Sequence, residues 1–223
     1  MKTRIYAVMV GALLAFALAS CEFLGPAVPT PPASAPHVIA SAGEFEIAIG
    51  LNWPPVERAE TYTIYRADRP DGEYEPIGET PYNSYRDEVG SGHTGRWYWY
   101  RVQACNPGGC GPISAPARGY AGPPPAPTNV RASDDRVDGV VITWDAIAGA
   151  TEYEVVRDRA RDGTYPTLVA RVMGNSAEDA TARPGLTYWY RVRARNRWGF
   201  GALSEPDPGC VLPCPGFPSA PPG

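Results

Sequence analysis

Apolar side chains recur at every second position in several short segments of the chain. The pattern runs from Ile47 to Trp53 and returns from Val140 to Trp144, alternating with smaller or polar residues. A period of two places alternate side chains on one face, as in a β-strand with one buried face. No helical period is sustained outside the apolar run at 5–18. The chain is therefore predicted to be all-β.

The sequence also repeats itself after about 90 residues. YWYRV at 98–102 returns at 188–192, and RPDGEY at 69–74 returns as ARDGTY at 160–165. The first part of each copy is offset by 91 positions and the later part by 90. Asp-Gly between strand-like runs predicts a tight turn, because glycine accepts a positive φ. A repeat of this length is a whole domain, and its short strands predict a β-sandwich.

Each copy resembles a fibronectin type III domain. The residues that carry the resemblance in the second copy are Pro127, Val130, Val140, Ile142, Trp144, Tyr153, Val155, Pro184, Gly185, Tyr188, Tyr190, Arg191, Val192, Asn196, Gly199, Gly201 and Ser204. The first copy matches at Ile47 to Trp53, Tyr62, Ile64, Tyr98, Tyr100, Arg101, Val102 and Asn106 to Ser114. It lacks the Pro-Gly that precedes Tyr188 and has the longer polar stretch GSGHTGRW instead.

This resemblance implies an all-β fold of two tandem immunoglobulin-like (fibronectin type III) β-sandwiches. It places Tyr98 and Tyr188 at the tyrosine corner, where the hydroxyl bonds back to the chain. Such a sandwich carries many unrelated roles, so the resemblance does not by itself assign a function.

The copies and the proline-rich segments between them define the predicted domains. Domain one is predicted at 36–121 and domain two at 128–205, joined by the linker GPPPAP at 122–127. A proline-rich tether at 21–35 precedes them, and a tail with proline and cysteine follows at 206–223. The tether is expected to extend at about 3 Å per residue, and the short linker to limit the angle between the domains.

The N-terminus has the pattern of an export signal. Two basic residues precede the apolar run at 5–18, which is shorter than the roughly 20 residues that span a bilayer. Leu18-Ala19-Ser20-Cys21 resembles the lipobox of bacterial lipoproteins, which implies a signal peptide at 1–20 and a lipid on Cys21 as the membrane partner. Glu22 then favours the outer membrane of the cell envelope. The alternative is an ordinary signal peptide, with Cys21 left as a free thiol.

Lipidation of Cys21 would leave four of the five cysteines for disulfides in an oxidising compartment. Cys105 and Cys110 flank the glycine-rich hairpin that the resemblance implies, which favours a local disulfide over pairing with the tail. Cys210 and Cys214 lie in CVLPC, beyond the last predicted strand, and a second local disulfide is the preferred interpretation. Zinc is disfavoured, because only two histidines could supplement the thiols.

Composition and motifs give no support for catalysis. The net charge of −4 offers no electrostatic basis for nucleic-acid binding. No nucleophile–histidine system, metalloprotease helix, phosphate loop or dinucleotide fingerprint is present. The adjacent carboxylates Asp87-Glu88 and Asp134-Asp135 are interpreted as solvated turns. The chain is therefore predicted to have no catalytic residue, no metal and no cofactor.

Two surface features remain as candidate partner contacts. By alternation, Trp189 and Arg191 lie on the outward face of one strand, together with the arginines that follow. This row either stabilises the sheet, with Glu154 as a counter-ion, or forms a binding face. Trp198 and Arg197, in the loop NRWGFG, are the stronger candidates, because loops at sandwich ends often carry recognition. Packing of Trp198 against its own domain or the linker is the alternative.

These features predict a non-catalytic, lipid-anchored envelope protein that acts as an adhesion, scaffolding or spacer module. Its expected partners are the membrane and a protein or glycan of the envelope. The alternative is a carbohydrate-binding accessory protein of a polysaccharide-degrading system.

Overall fold

The computed structural model describes residues 29–164 and 166–214. The predicted signal peptide, Cys21 and the start of the tether lie outside these residues, as does the end of the tail. The described chain folds into two β-sandwiches, as the alternation and the repeat predict. None of its residues forms a helix long and apolar enough to cross a membrane.

The strands of the first sandwich are β1 (Ile39–Ala40), β2 (Ile49–Asn52), β3 (Thr61–Ala67), β4 (Glu75–Thr80), β5 (Ser84–Asp87), β6 (Tyr98–Asn106), β7 (Gly109–Ile113) and β8 (Ala117–Gly119). A short 3₁₀ turn, Ser91–His93, precedes β6. The strands of the second sandwich are β9 (Arg131–Ala132), β10 (Val140–Thr143), β11 (Glu152–Asp158), β12 (Thr167–Val172), β13 (Ser176–Asp179), β14 (Thr187–Asn196), β15 (Gly199–Phe200) and β16 (Asp207–Cys210).

Both sandwiches have the same strand order. In the first, a sheet of order β1-β2-β5 faces one of order β4-β3-β6-β7, with β8 also paired to β6. In the second, β13-β10-β9 faces β12-β11-β14-β15, with β16 also paired to β14. The last strand of each copy is therefore split into two pieces that pair with the same long neighbour.

The long strands β6 and β14 supply much of each core. Along β6 the side chains of Tyr98, Tyr100, Val102 and Ala104 are buried, and their counterparts on β14 are buried too. Full burial of an apolar side chain of this size contributes about 1.5–3 kcal/mol. The inward alternation of YWYRV, which the sequence predicts, therefore explains why the phrase occurs in both copies.

The end of domain two differs from the prediction. Residues 207–210, assigned from the sequence to the tail, form β16, in which Gly209 lies opposite Tyr188. Cys210 and Val211 are almost fully buried. The segment DPGC has neither alternation nor β-branched residues, so its strand conformation comes from pairing with β14 rather than from local preference. The second sandwich therefore runs past residue 205.

Both local disulfides are present. Cys105 and Cys110 lie directly opposite each other where β6 turns into β7. Cys210 at the end of β16 is joined to Cys214 four residues later. The first bridge closes a hairpin at the end of domain one, and the second ties the segment after β16 to the core residue Cys210.

Candidate functional site

The two domains meet through a side chain of domain one that is buried in domain two. Tyr120 follows β8, has no exposed surface and packs in the hydrophobic cluster of domain two. Its hydroxyl donates a hydrogen bond to the carbonyl oxygen of Ala148 over 2.7 Å. Trp97 packs edge-on against its ring, with centroids 5.0 Å apart. Burial raises the pKa of Tyr120 to about 12, so the hydroxyl stays a donor at physiological pH.

The loop NRWGFG, which contains Arg197 and Trp198, contacts domain one across the junction. The indole nitrogen of Trp198 donates a hydrogen bond to the carbonyl oxygen of Gly43, and Arg197 donates one to the carbonyl of Glu44 over 2.7 Å. Trp198 is still 37% exposed. It packs against domain one, rather than only against its own domain or the linker. Its role as a contact for another molecule stays a prediction.

The linker is held against domain two by an asparagine and a glycine. The side-chain nitrogen of Asn196 donates a hydrogen bond to the carbonyl oxygen of Gly122 over 2.9 Å, while its oxygen accepts one from the backbone of Trp198. A Cβ at Gly201 would lie only 1.8 Å from the carbonyl oxygen of Pro124. The proline-rich linker can pass only because residue 201 has no side chain.

Domain one holds the segment before it in the same way. Asn106 donates a hydrogen bond to the carbonyl oxygen of Thr30 over 2.9 Å and accepts one from the backbone of Gly108. A Cβ at Gly111 would lie 2.4 Å from the carbonyl oxygen of Pro32. We refer to Asn106 with Gly111, and to Asn196 with Gly201, as the two leader clamps. Part of the predicted tether is therefore packed against domain one.

In each domain a buried aspartate pairs with a partly buried arginine and a buried tyrosine. In domain one, Arg66 lies 2.9 Å from Asp87, which also accepts a hydrogen bond from the hydroxyl of Tyr100 over 2.8 Å. Asp87 is buried, so its interpretation as part of a solvated turn is wrong. The pKa of Tyr100 is raised, mainly because the hydroxyl is buried and secondly because the negative charge of Asp87 lies beside it.

Arg157, Asp179 and Tyr190 form the same arrangement in domain two, with 2.9 Å between the tyrosine hydroxyl and the carboxylate. Burial alone would raise the pKa of Asp179. Hydrogen bonds from Thr181, Tyr190 and Arg157 outweigh burial, so the pKa of this carboxyl lies below its ordinary value of 3.8.

The hydroxyl of Tyr98 does not make the backbone bond that the tyrosine-corner resemblance implies. The hydroxyl of Tyr98 pairs with a ring nitrogen of His93 over 2.9 Å, not with the backbone. The ring of Tyr188 lies under the guanidinium of Arg157, 4.4 Å from its centroid. Arg66 lies over the ring of Tyr98 in the same way, 5.1 Å from its centroid. Aromatic faces attract guanidinium groups, so each tyrosine covers the arginine of an ion pair on one side.

The outward arginines of β14 are mostly paired within the sheet. Glu154 is buried and lies 2.6 Å from Arg193 and 3.0 Å from Arg171, on the strands either side of it. The guanidinium that stacks on Trp189, at 5.8 Å, comes from Arg161 in the preceding turn. Glu154 acts as the predicted counter-ion, so this row stabilises the sheet. The partner role of Trp189 and Arg191 stays a prediction.

The side chains of the described residues offer no metal site. In 29–164 and 166–214, no group of three or more histidines, cysteines or carboxylates is arranged to hold a metal ion. All four cysteines of these segments are engaged in disulfides.

Comparison with known proteins gives a local match and a set of similar folds. No protein-family model matches the chain. An amylopullulanase of Thermoanaerobacterium saccharolyticum is 32% identical over 78 residues, which are 34% of this chain and 6% of that protein. The chain thus spans a small part of the length of that relative.

Similar solved structures include the chicken CNTN1 FN1–FN3 domains, which are 21% identical in sequence. That match covers 80% of this chain and 67% of the other, with a TM-score of 0.38. A two fibronectin type III domain segment from chicken tenascin has 17% identity and a TM-score of 0.36, and covers 77% of this chain and 97% of that one.

The fold of the chain is assigned from its strand order. In both copies a three-stranded sheet packs on a larger sheet, and the last strand of the larger sheet is split. The residues that resemble the family lie on these strands and on the turns between them. The chain is a tandem pair of fibronectin type III-like β-sandwiches.

Proposed function

We propose that the chain is a non-catalytic scaffold or adhesion module of the cell envelope, anchored by a lipid on Cys21. The observation that carries the proposal is the junction between the domains. Tyr120 is buried across it, and Trp198 and Arg197 bond back over it. Both domains are thereby presented as one unit, which suits a protein that sets a distance or displays a surface.

The proposed location draws on two further features. The lipobox-like end of the signal at Cys21 supports a lipid anchor, and Glu22 favours the outer membrane. Two disulfides in the described residues accord with an oxidising compartment. The partner is then a protein or glycan of the envelope, met by the domain surfaces rather than by an active site.

The fixed junction can be tested with spin labels. Tyr82 and Met173 are strongly exposed, in domains one and two respectively, and can be changed to cysteine in a Cys21→Ser background. We expect a narrow distance distribution between the labels, which Trp198→Ala broadens. Trp189→Ala, on the sheet face, is the matched control and should leave the distribution narrow. A distribution that is already broad in the parent protein would contradict the scaffold proposal.

The anchor needs a separate experiment. Palmitate labelling of cells that express the full chain should give a labelled membrane protein. Cys21→Ser should abolish both the label and the membrane fractionation. Continued labelling of this variant would refute lipidation at Cys21 and leave the fold unaffected.

A second candidate function is carbohydrate binding in support of polysaccharide breakdown. The observation that favours it is the local identity with a protein named as an amylopullulanase. The match covers only a small part of that protein, so it supports a shared module rather than a shared activity. Retardation of the chain on gels that contain starch or pullulan would support this candidate, and unchanged mobility on a wide polysaccharide panel would count against it.

A further inference from the structure

A cleft of about 340 Å³ opens at the junction, beside the start of β6. Asp68 from the turn after β3, Arg96, Trp97 and Trp99 from the entry to β6, and Pro125 of the linker line its walls. Small-ligand sites have volumes of about 300–1,000 Å³, often lie between domains, and combine aromatic walls with a few polar groups. The cleft meets these criteria at the lower end of the size range.

One of the two aromatic walls, Trp97, is held in place before any ligand arrives. Trp97 and Trp99 are two positions apart on an extended segment, so they lie on the same face. The plane of Trp97 is set by Tyr120 at its edge and by the guanidinium of Arg118, 4.5 Å from its ring centroid. Trp99 is only partly buried. A rigid aromatic side chain can bind a flat apolar surface at a small cost in conformational entropy.

The polar groups of the cleft favour an uncharged ligand. Asp68 and Arg96 are both exposed, and they contribute one negative and one positive charge. A carboxylate accepts hydrogen bonds and a guanidinium donates them, so together they suit neighbouring hydroxyl groups. A pyranose ring combines these properties, because its C–H face is apolar and its edge carries hydroxyls.

A smaller cleft of about 180 Å³, lined by Asp158, Arg159 and Tyr188, lies at the equivalent place in domain two, but it lacks the pair of tryptophans. In domain two, Trp189 takes the position of Trp99, but Thr187 stands where Trp97 does and Arg159 where Asp68 does. Arg159 lies over the ring of Tyr188, 5.3 Å from its centroid. The second aromatic wall therefore occurs only in domain one, at the end that adjoins the linker, whereas the acidic residue of the domain-two cleft is Asp158.

We propose that this cleft binds a neutral glycan chain, with one sugar ring stacked on Trp99 and hydroxyls bonded by Asp68 and Arg96. The proposal rests on the second candidate function and deepens it by assigning the site. It also places the ligand against Pro125, so the bound glycan contacts the linker as well as domain one.

Isothermal titration calorimetry of the full chain tests the proposal, with maltoheptaose, cellohexaose, xylohexaose and the acidic control oligogalacturonate as probes. We expect saturable binding of at least one neutral probe, and an affinity at least about tenfold lower in Trp99→Ala. Tyr82→Ala, which removes an exposed aromatic side chain of domain one outside the cleft, is the matched control and should bind as the parent does. Unchanged melting temperatures of both variants establish that the fold is retained.

The outcomes separate the site from the function. Binding by the parent that is equally strong in Trp99→Ala overturns the cleft and keeps the glycan-binding function. Binding of none of the neutral probes overturns both, and leaves the scaffold proposal to its own test. Preference for oligogalacturonate over every neutral probe also overturns the proposed ligand class.

Discussion

Trp198 in domain two donates a hydrogen bond over 2.9 Å to the carbonyl oxygen of Gly43 in domain one, 155 residues earlier. Tyr120 of domain one is in turn buried in the core of domain two, so each domain contributes an aromatic side chain that contacts the other. Neither domain can move away from the other without exposing an aromatic side chain and breaking a hydrogen bond.

Coupling across the junction should appear in thermal unfolding. We expect the parent to melt in one calorimetric transition and Trp198→Ala to melt in two, because the variant loses the bond to Gly43 and the packing of the indole. The lost interaction is worth about 1–3 kcal/mol. Trp189→Ala should keep the single transition. Two transitions in the parent, unchanged in Trp198→Ala, would show that the domains already unfold independently.

The leader clamp of domain two gives a sharp steric prediction. Gly201→Ala would place a Cβ 1.8 Å from the carbonyl oxygen of Pro124, so the linker must shift. We expect a loss of stability of about 1–3 kcal/mol, measured by urea unfolding. Gly174→Ala is the matched control, since a Cβ there meets nothing within 4 Å. Equal stability of the two variants would mean that the linker is not held at Gly201.

The buried carboxylate of domain two links stability to acid. Because the pKa of Asp179 is depressed in the folded state, its contribution is present above about pH 3.8 and is lost as pH falls below that value. Asp179→Asn should remove this part of the acid dependence. It should also lower the free energy of unfolding near pH 7 by about 3–5 kcal/mol, since Arg157 loses its partner.

Urea unfolding near pH 7 and near pH 3 measures both effects. Asp162→Asn is the control, because the side chain of Asp162 is 92% exposed and should contribute little. A variant at Asp179 that unfolds like the parent at both pH values would exclude a stabilising role for the ion pair.

The hairpin disulfide of domain one should stabilise the fold modestly. It closes a short loop, for which the chain-entropy model gives about 2 kcal/mol. The double variant Cys105→Ser and Cys110→Ser should therefore still fold, with a lower melting temperature. A double change of Cys210 and Cys214 to serine should cost more, because Cys210 is fully buried and a hydroxyl there replaces an apolar sulfur. Equal losses from the two double variants would contradict this difference in burial.

The sequence was sufficient where a local pattern coincides with burial. The alternation in YWYRV predicts which side chains of β6 and β14 enter the cores, and the Asp-Gly turns predict where strands reverse. The strand at 207–210 has no such pattern, since its Pro and Gly are tolerated only through pairing with β14. Its conformation depends on tertiary contacts, which periodicity does not report.

The sequence did not reveal that Asp87 and Asp179 are equivalent buried residues, because their offset differs from the offset of their partners. Asp87 and Asp179 are 92 positions apart, whereas their partners Arg66 and Arg157 are 91 apart and Tyr100 and Tyr190 are 90 apart. The offset changes within the loops on either side, so alignment of the copies does not bring the aspartates together. The contact of Trp198 was missed because its acceptor is a backbone carbonyl. Every residue carries this group, so the sequence does not indicate which one accepts the bond.

The leader clamp of domain one has a consequence for how the protein would stand on a membrane. With Thr30 and Pro32 packed on the β6–β7 hairpin, the distance from Cys21 to Pro29 is at most about 28 Å, the reach of a fully extended chain of that length. The cleft lies at the opposite end of β6, a nine-residue strand of roughly 30 Å. If Cys21 carries the proposed lipid, the disulfide-closed β6–β7 hairpin is the part of domain one nearest the membrane. The length of β6 then separates the cleft and the second domain from the bilayer surface.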